Sequence, residues 1–61
     1  MTPLTPAELR VLEAMRTADS ERDAARRLGL SPHTVDAHLA NARRKFGVHS
    51  TRRVLAIVFG A

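Results

Sequence analysis

The sequence predicts an all-α domain, a four-helix bundle-like fold with a central helix-turn-helix in helices two and three, and three observations predict it. Helix-start signals recur along the chain, apolar residues repeat at three- and four-residue spacing after them, and Gly29, Gly47 and Gly60 fall where those segments should stop. Thr5-Pro6-Ala7-Glu8 combines a capping Thr, a Pro at the first helical position and a Glu three residues after the cap, which is a capping box. Val11, Leu12 and Met15, with Ala18 beyond, form the apolar stripe of this first helix; Leu4 staples against its first turns, and Leu9 lies off the stripe, half exposed.

Ser20-Glu21-Arg22-Asp23 repeats the cap with a shorter acid and opens a second helix that offers Ala24, Ala25 and Leu28 and ends at Gly29. Ser31-Pro32 starts a third helix, residues 32–46, in which Val35, Leu39, Ala42 and Phe46 recur at i, i+4, i+7 and i+11 before Gly47. Ser50 or Thr51 caps a last segment carrying Val54, Leu55, Ile57, Val58 and Phe59. Its β-branched residues also suit a strand, but a fourth helix is the simpler account.

A chain of 61 residues makes one domain, here taken as residues 1–61, with a small core, since chains of this size bury only roughly 60% of the surface they expose when unfolded. No Cys is present to supply a disulfide or a thiolate metal site, and a reducing interior such as the cytoplasm is expected. No apolar run approaches membrane-spanning length, and Met1-Thr2-Pro3 lacks a signal-peptide pattern, so a soluble chain without membrane partners is expected. The net charge of +4 is uneven: residues 1–40 carry five Arg and all six acids, whereas residues 41–61 carry Arg43, Arg44, Lys45, Arg52 and Arg53 and no acid. Such a basic end attracts a phosphate backbone or forms a solvated face.

The spacing of Ala25, Gly29 and Val35 carries the functional signal. A helix-turn-helix needs a small residue where its helices cross, a residue tolerant of positive φ in the turn, and an apolar wedge on the second helix. These three residues fill the roles, four and six positions apart. An ordinary helical hairpin uses the same stop and cap; the spacing, the caps and the basic C-terminal side together favour a DNA-binding version.

With helical geometry at 100° per residue, an inward Val35, Leu39, Ala42 and Phe46 turns His33, Ala37, Ala40 and Arg44 outward. Thr34, His38, Asn41 and Lys45 then line one flank, and Asp36 and Arg43 the other. Base edges suit His33, Asp36, Ala37, Ala40 and Asn41; phosphates suit Thr34, His38, Arg44 and Lys45, with Ser20 and Arg22 at the start of the second helix. The expected partner is double-stranded DNA, bound sequence-specifically with residues 32–46 in the major groove. No cofactor and no enzymatic activity are expected. His33, His38 and His49 do not make a metal set, because an i, i+5 pair leaves one helical face and no carboxylate or Cys completes it. Ser20, Ser31 and Ser50 read as caps and not nucleophiles.

Leu4-Thr5-Pro6, Glu8, Val11-Leu12, Gly29-Leu30-Ser31, Thr34-Val35, His38-Leu39 and Lys45-Phe46-Gly47-Val48, with the closing apolar helix, resemble the LuxR-type (GerE-like) DNA-binding domain over nearly the whole chain. The resemblance implies a four-helix transcription regulator of bacterial type whose third helix is the recognition helix. It supports Thr34, Val35, His38 and Lys45 as matching positions. The fourth helix often contributes to dimerisation in this family, so Leu55, Ile57, Val58 and Phe59 are expected to divide between the core and a weak homodimer. Such domains mostly end quorum-sensing receptors and response regulators and occasionally stand alone, and this chain fits either form.

Several residues depart from the family's pattern. Asp36 stands where Lys or Arg is usual; it accepts from a cytosine amine, holds Arg22 or Arg26, or serves only the helix dipole. Ala24 and Ala42 replace larger aliphatics, leaving room for Phe46, Ile57 or Phe59, and Thr51 and Arg53 replace Arg and Glu. Two rival readings follow. Thr34-Val35 and Ala42-Arg43-Arg44-Lys45 also resemble region four of a sigma factor, which would add RNA polymerase as a partner; and Asp36 with the outward Ala37 and Ala40 suits a protein-interaction module that does not bind DNA.

Overall fold

A computed structural model describes residues 3–60, and the expected domain limits at residues 1 and 61 lie outside the described residues. The fold is all-α: α1 spans Pro6–Met15, α2 Glu21–Leu28, α3 Pro32–Phe46 and α4 Thr51–Phe59. Among the described residues there is no strand, so the β-branched run of α4 is helical.

Each helix begins where a side-chain oxygen satisfies an otherwise unpaired N–H. Thr5 accepts from the Glu8 N–H at 3.1 Å while Glu8 Oε1 accepts from the Thr5 N–H at 3.0 Å, which completes the capping box. Ser20, Ser31 and Ser50 cap the other three through the N–H groups of Asp23, Thr34 and Arg53. Of the two candidate caps before the last helix, Ser50 performs the role. The second cap is not a reciprocal box: the Asp23 carboxylate accepts from the N–H of Asp19, one residue before the cap.

The core is built by Val11 and Leu12 of α1, Ala25 of α2, Val35, Leu39 and Ala42 of α3, and Val54 of α4. Helix α3 packs against each of the other three helices and is therefore the central element. Fifteen residues at about 1.5 Å each make it about 22 Å long, as long as the two shorter dimensions of the domain, 20 and 19 Å. A rod of that length in so small a body cannot be enclosed on every side. Leu4, Met15, Leu28, Phe46 and Val48 pack on the rim of the core, and Leu9 is 41% exposed, as its place off the stripe predicts.

Of the three side chains expected to fill the room left by Ala24 and Ala42, Phe46 and Phe59 do pack on the core. Ile57 does not; it is 53% exposed. At 100° per residue Val58, Leu55 and Phe59 fan out over about 140° to one side of the buried Val54, the side that meets the core, whereas Ile57 lies about 60° to the other side. Phe59 also receives the Arg16 guanidinium over its ring at 4.3 Å, which ties the end of α4 to the end of α1.

Candidate nucleic-acid interface

The α2–α3 turn is three residues long, Gly29-Leu30-Ser31, and its shape follows from hydrogen bonding. Gly29 has φ +70°, the left-handed region that glycine enters without a Cβ penalty. The Leu30 N–H then reaches back to the Ala25 carbonyl at 2.9 Å and the Gly29 N–H to that of Arg26 at 3.3 Å, closing a Schellman motif. The chain is thereby turned so that Ser31 caps α3. Ala25 and Val35 are both buried beneath the turn, in the roles of close-crossing residue and wedge that their spacing predicts.

Along α3 the burial pattern sorts the expected site residues. His33, Asp36, Ala37 and Arg44 are exposed; Ala40 is half-buried on the outward side; and Thr34, His38, Asn41 and Lys45 are all half-buried along one flank. Thr34 Oγ1 lies 2.9 Å from the Ser31 hydroxyl. Asn41 Oδ1 accepts from the Arg44 guanidinium, an i, i+3 contact that sets the amide's orientation. Ser20 and Arg22, at the start of α2, are both exposed.

Asp36 pairs with neither Arg22 nor Arg26. Arg26 instead binds Asp23 Oδ1 at 3.0 Å, Arg27 binds Asp23 Oδ2 at 3.0 Å, and Asp36 makes no ion pair among the described residues. The hydrogen bond from Arg26, that from the Asp19 N–H and the charge of Arg27 hold the Asp23 carboxyl below its ordinary value. Asp36 also lies beyond the first turn of α3, which contains no acid, so the helix-dipole account of it is weak.

The run Arg43-Arg44-Lys45, continuous in sequence, is divided in space. Arg43 donates to Thr51 Oγ1 at 3.0 Å, from α3 to the first turn of α4. The Thr that departs from the family's usual Arg is therefore an acceptor that fixes the fourth helix. Arg44 stays exposed. Lys45, expected at a phosphate, has its Nζ 2.5 Å from Glu8 Oε1 and 3.2 Å from the Pro3 carbonyl, with only 19% of its side chain exposed and 6% of that of Glu8. Burial alone raises the Glu8 carboxyl; the hydrogen bonds from Lys45 and Thr5 and the ammonium charge outweigh it and hold the group below its ordinary value. Glu8 was legible in the sequence only as half of a capping box. Nothing in the local pattern marks a partner 37 residues away.

On α4, Leu55, Val58 and Phe59 are partly buried against the core and Ile57 is exposed beside Arg53 and Ala56. Of the four residues expected to divide between core and partner, three lean on the core.

A locked turn, a buried crossing and a long second helix with one open face define a helix-turn-helix domain, the class of small module that sets a helix against duplex DNA. The chain belongs to the luxR family of bacterial regulatory proteins: the model of that family, GerE, matches residues 2–59. Membership points to DNA-binding transcription regulation and not to an enzyme. No curated protein matches the chain, and no solved structure does. Among the described residues no helix is long and apolar enough to cross a membrane.

Proposed function

We propose that the chain binds double-stranded DNA sequence-specifically, with α3 in the major groove, and so regulates transcription in the cytoplasm. The observation that carries this reading is the asymmetry of α3: Val35, Leu39 and Ala42 are fully buried while His33, Asp36, Ala37 and Arg44 face solvent. A helix of about 10–12 Å diameter fits a major groove about 12 Å wide, and the small side chains of Ala37 and Ala40 let the helix axis come close to the base edges. His33, Asp36, Ala37, Ala40 and Asn41 then read bases, and Ser20, Arg22, Thr34, His38 and Arg44 meet phosphates. Asp36, which makes no ion pair among the described residues, is available to accept from a cytosine amine.

Selection of bound sequences from random duplex DNA at two salt concentrations tests the reading. Enriched sites with salt-dependent affinity are expected. Absence of binding at low salt would leave the protein-interaction reading, which the exposed Asp36 carboxylate on the open face favours.

The exposed Ile57 supports a weak homodimer through α4, formed when two copies sit on a two-fold-related site. A single large apolar side chain is too little to hold two copies together in solution, where specific interfaces bury about 1,200 Å² or more. RNA polymerase as a partner, on the sigma-like alternative, requires tighter binding to the polymerase than to free promoter DNA.

A further inference from the structure

Resting on the DNA-binding reading above, we propose that Arg43 and Lys45 are positioning residues that fix the last turns of α3 between α4 and α1, leaving Arg44 as the cation of this run that meets a phosphate.

The inner face of α3 is held by Val35, Leu39 and Ala42, and its start is held by the Gly29 turn. Beyond Ala42 no residue of α3 is fully buried. Phe46 packs only on the rim of the core, and two polar ties hold the same turns beside it: Arg43 to Thr51 at 3.0 Å, and Lys45 to Glu8 at 2.5 Å with the Pro3 carbonyl at 3.2 Å. They leave α3 toward different helices, so together they resist both rotation and tilt of its C-terminal half.

Lys45 is not free to swing to a phosphate. Doing so would strip its countercharge from a carboxylate whose side chain is 6% exposed, leaving only the Thr5 N–H on that oxygen. An uncompensated buried charge is among the costlier changes a small domain can suffer. Arg44, by contrast, is exposed and gives one guanidinium nitrogen to Asn41 on its own helix, which leaves further N–H donors for a phosphate.

The two roles have different signatures. A phosphate contact releases counterions, so its loss flattens the dependence of log K on log salt by about 0.9. A positioning tie leaves the counterion number alone; its loss moves the reading face and lowers the ratio of specific to non-specific binding. The variants are Arg44→Ala, Thr51→Val, and the double change Glu8→Gln with Lys45→Met, which removes both buried charges together and so keeps the domain folded. Each is titrated across salt on a selected duplex and on a scrambled one.

For Arg44→Ala a slope flatter by about 0.9 is expected, with the ratio little changed. For the double variant and for Thr51→Val an unchanged slope is expected, with a ratio lower by about tenfold, the cost of roughly one base pair of readout. A slope flatter by about 0.9 in the double variant would overturn the assignment of Lys45, and an unchanged ratio would show that the ties position nothing. If the unaltered protein shows no salt-dependent duplex binding, the DNA-binding reading fails instead. The ties are then read in the protein alone: amide hydrogen exchange across residues 43–46 should be at least about tenfold faster in the double variant, and equal rates would overturn the positioning role.

Discussion

One oxygen of Glu8 accepts both from the Thr5 N–H and from the ammonium of Lys45, so the cap of α1 and the last turn of α3 share a single acceptor. Acid should release both at once. The Glu8 carboxyl is held below its ordinary value in the folded chain, so its contribution to stability is complete above the unfolded value of about 4.3 and is lost as pH falls through the folded one. Asp23 acts with the same sign. Thermal unfolding followed by circular dichroism should show Tm level near neutrality and declining from about pH 4.3 downward, with a shallower decline in Glu8→Gln. An equal decline in that variant would assign the acid sensitivity elsewhere.

Removing only the cation should be harsher than removing the pair. Lys45→Ala leaves Glu8 charged and buried, a change worth about 3 kcal/mol, or a drop in Tm on the order of 10 °C or more for a domain this small. The double change Glu8→Gln with Lys45→Met should recover most of that loss in urea unfolding. Additive losses from the two sites would mean that they do not interact.

Gly29 has open space where a Cβ would stand, with nothing within 4 Å, so replacing it tests backbone conformation alone. Gly29→Ala should cost about 1–2 kcal/mol in denaturant unfolding, the penalty for an L-residue at φ +70°. Gly29→Asn should cost less, because Asn tolerates this region better. A neutral Gly29→Ala would show that the turn has relaxed to another shape.

Asp36 is exposed and makes no ion pair among the described residues, so its replacement should leave stability within about 0.5 kcal/mol. Its effect should fall on DNA. Asp36→Ala is expected to change the preferred base at one position of the selected site, and Asp36→Lys to raise affinity on every duplex. Unaltered preference in Asp36→Ala would remove this residue from the reading face.

Ile57→Ala should likewise leave Tm nearly unchanged, since the side chain is half outside the domain. On a palindromic duplex, sedimentation should find two copies of the unaltered domain at saturation, with the second bound less tightly in the variant. One copy per duplex for the unaltered chain would rule out the α4 dimer.

The starts of all four helices and the stops of α2, α3 and α4 were legible in the residues themselves, because a cap joins atoms three residues apart and a left-handed glycine acts on its own backbone; α1 ends at Met15 without a glycine, short of the Ala18 to which its apolar stripe runs. The α2–α3 turn belongs to the same class. Ala25, Gly29 and Val35 lie within eleven positions and mark the turn, and the repeat of Val35, Leu39, Ala42 and Phe46 marks the open face of α3. Helical geometry also turned Arg44 outward and set Arg43 and Lys45 on opposite flanks. What those two flanking cations pair with was decided by Thr51 and by Glu8, and the latter is 37 residues away. Arg26, one of the two expected partners of Asp36, is held instead by Asp23, which sits one helical turn earlier and pairs with both Arg26 and Arg27. An ion pair forms with whatever charge the packed helices bring within reach, and that neighbourhood exists only after the chain has folded.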